Sequence, residues 1–281
     1  SEHGIRLLSK LEEASTMPRS RPVQEPFDIA LIGMGCVMPQ AFNLDRYWEN
    51  IFYKVNAITE VPVDRWDWRL YYDPSKRSPD QISSKWGGFI GDISLDPARY
   101  GIPPKAMPSI QPLHLLTLLA VEEALERSGY RTRPFSKKKT SVILGLTGAM
   151  PDLAQQYVLR SNLLRLFEKV PPDAWDVFPA WTEDSFPGML TNITASRIAK
   201  SFGLEGVNYT VDAACASSLA AFHHALRELE CGKSDMVITG GADGSQTPWT
   251  YLCFSNVNAL SPRGWPRPFD EAADGTVISE G

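Results

Sequence analysis

Four short apolar runs recur along the chain, FDIALIG at 27–33, KTSVILGLTG at 139–148, VNYTVDAA at 207–214 and DMVITGGAD at 235–243, and helical patterns fill most of the intervals. Such runs, rich in β-branched residues and closed by glycine or aspartate, predict strands buried on both faces. The intervening segments NLDRYWENIF (43–52), PLHLLTLLAVEEALERSGY (112–130), SFPGMLTNITASRIAKSFGL (185–204) and ASSLAAFHHALRELECG (216–232) carry helical spacing. Asn43 caps the first, and Gly129, Gly203 and Gly232 close the others. Strand alternating with helix implies an α/β layered fold around a mostly parallel sheet. Residues 56–110, rich in Trp, Tyr, Pro and Gly, read as a long functional or interfacial loop region, and 151–182 as a helical excursion. Residues 1–26 read as a short helix and a linker into a domain spanning 27–281.

Composition narrows the function. The 281 residues carry 28 basic and 33 acidic side chains, a net charge of −5 whose field opposes a polyanion, so nucleic acid is not expected as a partner. No apolar run approaches the roughly 18 residues of a membrane span, and the charged N-terminus lacks the core of a signal peptide. A cytoplasmic setting follows as the expectation. Four cysteines, Cys36, Cys215, Cys231 and Cys253, are too few for a disulfide framework and form no C-x-x-C pair.

The sharpest chemical signal is Cys215, where a strand runs directly into a helix. A thiol at the first turn of a helix feels the positive end of the macrodipole and unpaired N–H groups, which favour the thiolate. Those N–H groups can also donate to the oxyanion formed when sulfur attacks a thioester carbonyl. The flanking Ala213, Ala214, Ala216, Ser217 and Ser218 leave room for a substrate. No base accompanies it locally. His223 and His224 follow by eight and nine residues, roughly 12–14 Å along a helix, and their directions diverge too far to share a metal ion. One is expected to pack and the other to face water, and His114 to be a core histidine. No metal site is expected.

Other patterns lack the context they need. GMGCVM after the first run has Met38 and Pro39 where a dinucleotide fingerprint needs glycine and a helix start, and CGKS at 231–234 closes a helix where a phosphate loop would open one. Asn192 and Asn208 match the glycosylation pattern by chance. Trp66, Trp68, Tyr71, Tyr72 and Trp86 read as packing.

In order, DIALIGMGCVMP, VPVDRWDWRLYYDP, WTEDSFPGMLTNITASRIAKSFGL, VNYTVDAACASSLAAF, DMVITGGAD and SPRGWPRPFDEAADGTVISEG resemble the β-ketoacyl synthase domain of iterative type I polyketide synthases. SFPG, VDAACASSLAA and ALSPRG bring it nearest the polyunsaturated-fatty-acid and heterocyst-glycolipid synthases. The resemblance runs over 27–281 and implies a thiolase-like fold of αβαβα layers, of which this chain supplies the N-terminal βαβαβαββ half. It implies that Cys215 accepts an acyl group from the phosphopantetheine of an acyl carrier protein, with its own N–H as half of an oxyanion hole. The acyl group then condenses with a carbanion released by decarboxylation of a malonyl-carrier thioester, with no separate cofactor. It implies Met189 at the border of an acyl channel, a homodimer paired through the strand before Cys215, and as partners the C-terminal half and a neighbouring acyltransferase domain. The family's two catalytic histidines and lysine lie in that other half, and none of the four histidines here matches them. Where family members carry D-P-x-Q-R, this chain has Ser109-Ile110-Gln111-Pro112-Leu113, so contacts made there are not carried over. Retention of Cys215 argues against the chain-length-factor relatives. Alternatives sharing these features are a dimerising scaffold with a vestigial thiol and a thiolase-like acyl transferase.

Overall fold

The computed structural model describes residues 28–148 and 151–281. The chain divides into two compact units, residues 1–30 and 31–281. Only residues 28–30 of the first are described, and they have no regular structure; the expected helical tail and linker otherwise lie outside the described residues.

The second unit is built on a three-stranded parallel sheet of β3 (Thr140–Gly145), β4 (Asn208–Val211) and β5 (Met236–Gly241), in the order β4–β3–β5. Two further strands, β1 (Ile58–Glu60) and β2 (Trp86–Gly88), form a small antiparallel pair. β3 is buried along its whole length, which is why its run shows no polar alternation. Val142 and Leu144 join a core with Leu118, Val121 and Leu125 of α2 (Pro112–Arg127) and with Ala195, Ile198 and Phe202 of α5 (Asn192–Phe202). The alternate positions face α6 (Ser217–Glu230), whose first residue abuts Gly145.

The remaining helices are α1 (Leu44–Phe52), α3 (Asp152–Leu166), α4 (Ser185–Met189) and α7 (Pro248–Asn256). Asn43 caps α1 as expected, its Oδ1 accepting from the Arg46 N–H at 2.8 Å. Gly129, Gly203 and Gly232 take the left-handed conformation just past α2, α5 and α6. The aromatic residues of the long loop region are packing: Trp66, Trp68, Tyr71 and Tyr72 close over a second core of Val61, Ile82, Tyr251 and Leu260.

Three sequence expectations need correction. The run at 27–33 forms no strand where it is described, and Leu31 is 71% exposed. No strand pairs with it among the described residues; instead 33–35 lies against α2, where a Cβ at Gly33 or Gly35 would stand 2.4 Å from the Ala124 oxygen or 2.1 Å from the Ala120 oxygen. The single helix expected over 185–204 is broken at Leu190, whose backbone is extended. Gly188 is pressed against the Ser109 carbonyl and its own carbonyl accepts from the Gln111 N–H, which ends α4 early. Lastly, β4 and β5 are only half-buried, because each is an edge of the three-stranded sheet.

Candidate active site

Strands β3, β4 and β5 run parallel and end together, and in sheets of this kind the crevice beyond the carboxyl ends is where ligands bind. The turn after β4 rises there. Asp212 ties it to its surroundings, Oδ1 accepting from the Ala214 N–H at 2.9 Å and Oδ2 from the Gly148 N–H, in the loop after β3, at 2.6 Å. These two N–H donors hold the exposed carboxyl below the usual aspartate range. The Ser217 hydroxyl closes the turn from the other side, accepting from the Ala213 N–H at 2.9 Å and donating to the Ala214 carbonyl at 2.6 Å.

Between these ties Ala214 is held at φ +50°, a region an L-residue enters at a cost. Cys215 follows in a single 3-10 turn, Ala214–Ala216, and α6 begins at Ser217 with no side chain capping its first amides. Ala214→Gly is therefore expected to leave stability unchanged or raise it by up to about 1 kcal/mol, and Ala214→Val to lower it by about 1–2 kcal/mol. Urea denaturation of the two variants measures both.

The turn can sit on the strand ends because the strands present no side chains beneath it. A Cβ on Gly145 would stand 2.3 Å from the carbonyl carbon and oxygen of Ser217, and one on Gly241 would stand 2.6 Å from the Ser218 Cβ. Cys215 is exposed and lines a cavity of about 690 Å³. Its walls come from distant parts of the chain: Met38 and Pro39, Tyr47 and Ile51 of α1, Val55 and Ile58, Pro266 and Val277, with Asn50, Asp243 and Glu280 as polar points.

Met189, the other expected site residue, and the histidines are placed elsewhere. Met189 lines a separate, much smaller cavity with His114, Gln111 and Thr194. His114 is buried as expected, and burial, followed by the charge of Arg197, pushes its pKa down to about 3, so it stays neutral across the physiological range. His223 and His224 are both exposed, where one was expected to pack, and His224 Nδ1 lies 3.4 Å from the Tyr209 hydroxyl of the edge strand β4. Among the described residues no histidine lines the Cys215 cavity. Asp212, Gly145, Gly241 and Glu280 are site residues that sequence reasoning did not single out, and Ser217, read there only as a small neighbour, is the one whose hydroxyl ties the turn.

Comparison with known proteins identifies the fold and the family. A solved ketosynthase domain, OzmH KS7 of the oxazolomycin system from Streptomyces albus, superposes with a TM-score of 0.72 at 28% identity, covering 89% of this chain and 40% of that one. The ketosynthase from module 6 of the Bacillus subtilis bacillaene synthase superposes with a TM-score of 0.68 at 29% identity, covering 89% and 38%. The fold is thus α/β and thiolase-like, that of a ketosynthase domain. The family model for the N-terminal domain of beta-ketoacyl synthase matches residues 27–281, and the chain belongs to that family.

Among curated proteins, a component of the polyunsaturated fatty acid synthase of Thraustochytrium sp. is 34% identical over 90% of this chain, and the polyketide synthase PksN of Bacillus subtilis 30% identical over 96%. The chain spans only 9% and 5% of the lengths of those multidomain relatives. Among the described residues, no helix is long and apolar enough to cross a membrane.

Proposed function

We propose that this chain is the nucleophile-bearing part of a β-ketoacyl-[acyl carrier protein] synthase acting in fatty-acid or polyketide chain elongation. One observation carries the reading: Cys215 is exposed in a cavity at the carboxyl edge of the parallel sheet, on the turn that opens α6. This end of a helix favours the negative charge that develops on the carbonyl oxygen when sulfur attacks. The Cys215 sulfur bonds to the thioester carbon of an acyl group carried on the phosphopantetheine of an acyl carrier protein. The N–H of Cys215 donates to the oxyanion. The carrier thiolate then leaves and takes up a proton, and the acyl group remains as a thioester on Cys215.

Condensation with the carbanion formed by decarboxylation of a malonyl-carrier thioester follows. Its histidines and lysine belong to the C-terminal half, which together with an acyltransferase domain is the proposed neighbour. No separate cofactor enters this scheme. A homodimer paired through β4 is part of the same proposal, supported by the position of β4 at the sheet edge. Exposing the full protein to an acyl thioester and measuring its intact mass tests the first step. A gain of one acyl group is expected, and no gain would overturn the reading.

A further inference from the structure

Ser279, Glu280 and Gly281 line the Cys215 cavity, and residues 278–281 form a strap tied to two separate parts of the fold. At one end the strap runs beside β2: the Gly88 N–H donates to the Ile278 carbonyl at 3.0 Å, and the Glu280 N–H to the Gly88 carbonyl at 2.9 Å. At the other end Gly281 and Asp243, just past β5, exchange both backbone hydrogen bonds at 2.7 and 2.9 Å.

Between these ties the Glu280 side chain turns inward and is buried. Its Oε2 accepts from the Ile90 N–H at 2.6 Å and lies 3.4 Å from Nη2 of Arg65, which also donates to the Ile90 carbonyl at 2.7 Å. Two donors face this oxygen, an arrangement suited to a carboxylate. Glu280 also lines a second cavity, of about 420 Å³, together with Arg65, Ile90 and the apolar Leu113 and Leu116.

Burying a carboxylate is costly, and an apolar side chain would hold a plain strap at less expense. What the carboxylate adds is a defined position, and this strap is a wall of the cavity into which Cys215 opens. We propose that Glu280 is a positioning residue for acylation of Cys215, fixing through Ile90 and Arg65 the wall along which the acyl chain lies. The inference rests on the reading of Cys215 as the acyl acceptor.

The surroundings bear on its titration. Burial raises the Glu280 pKa, with the nearby Asp243 carboxylate adding to the rise, while the Ile90 N–H and Arg65 oppose it. The Tyr251 hydroxyl is itself raised, by burial and then by Glu280. Asp64, Asp92 and Asp152 line the second cavity. Protonation removes the charge that faces Arg65 and so loosens the wall.

The test compares two reagents on the full protein, an acyl thioester and iodoacetamide, by the rate of mass gain at Cys215. Glu280→Ala is expected to slow the acyl thioester by about tenfold or more and iodoacetamide by less than about twofold, since only the acyl chain needs the wall. Glu280→Gln, which keeps an acceptor for Ile90 but lacks the charge facing Arg65, is expected to lie between the unsubstituted protein and Glu280→Ala, at the ratio the unsubstituted protein reaches on acidification. The ratio of the two rates cancels the ionisation of the thiol. As the pH is lowered from 8 it is expected to fall in the unsubstituted protein and to stay flat in Glu280→Gln. This profile needs only a variant that preserves the shape of the side chain, so it decides the matter even should Glu280→Ala fail to fold.

Equal slowing of both reagents, slowing of neither, a Gln variant as slow as Ala, or a ratio profile that the Gln variant shares with the unsubstituted protein would overturn the role of Glu280 alone. Failure of the unsubstituted protein to take any acyl group at Cys215 would overturn the acyl-acceptor reading and this inference with it.

Discussion

Cys215→Ala is expected to abolish the acyl mass gain completely while leaving the protein folded, because none of the other cysteines shares its setting. Cys231 stands at the opposite end of the same helix, its N–H bonded to the Arg227 carbonyl at 3.0 Å. Carbonyls converge there, so that end of the helix offers no free amides to an oxyanion. Cys253 lies within α7, remote from that helix's first amides. Cys36 is half-buried, and burial, then the Glu123 carboxylate, pushes its thiol pKa up. Removing an exposed sulfur costs little packing, so the melting temperature should barely move. Iodoacetamide provides the control, since the exposed Cys231 and Cys253 remain open to a small alkylating agent in the variant. A full acyl gain in Cys215→Ala would place the acceptor at another residue.

Gly145→Ala is expected to cost about 3 kcal/mol of stability or more, and to lose acylation even under conditions where the protein remains folded. The new methyl would meet backbone rather than a movable side-chain end, 2.3 Å from the Ser217 carbonyl and 2.5 Å from the Ser218 nitrogen. Relief requires the opening turn of α6 to lift from β3, which carries Cys215 away from its cavity and strains the Ser217 and Asp212 ties. Gly240→Ala, on the neighbouring strand, is the matched control: nothing stands within 4 Å of its added methyl, and its change should stay within about 1 kcal/mol. Chemical denaturation and acylation of the two variants together separate a steric effect at the turn from a general intolerance of the sheet.

The α/β class, the capped helices and Cys215 were legible in the sequence because each is written locally, in runs of residues and in glycines just past helix ends. The expected strand at 27–33 shows the limit of such reading. Its composition suits a strand, but a strand needs a neighbour, and none pairs with it among the described residues. The same limit hid most of the site. Gly145 and Gly241 lie 70 residues before and 26 after Cys215, and only the stacking of α6 on the sheet makes them matter. Arg65 and Glu280, 215 positions apart, meet through the strap. Asp212 was the exception within reach, since an aspartate just before a helix opening is a frequent acceptor for turn amides. Met189 was carried by resemblance alone, and the structure sets it in a different cavity.

The wall of the Cys215 cavity is assembled from segments far apart along the chain, around Met38, Tyr47, Val55, Pro266 and Val277, while the reactive turn rests on glycines and its own short ties. On the proposed function, reactivity and selectivity reside in separable parts of the molecule. Substitutions in those peripheral segments can reshape which acyl groups are admitted without disturbing how sulfur is presented, so descendants of one such chain could diversify their products while conserving a single chemical step.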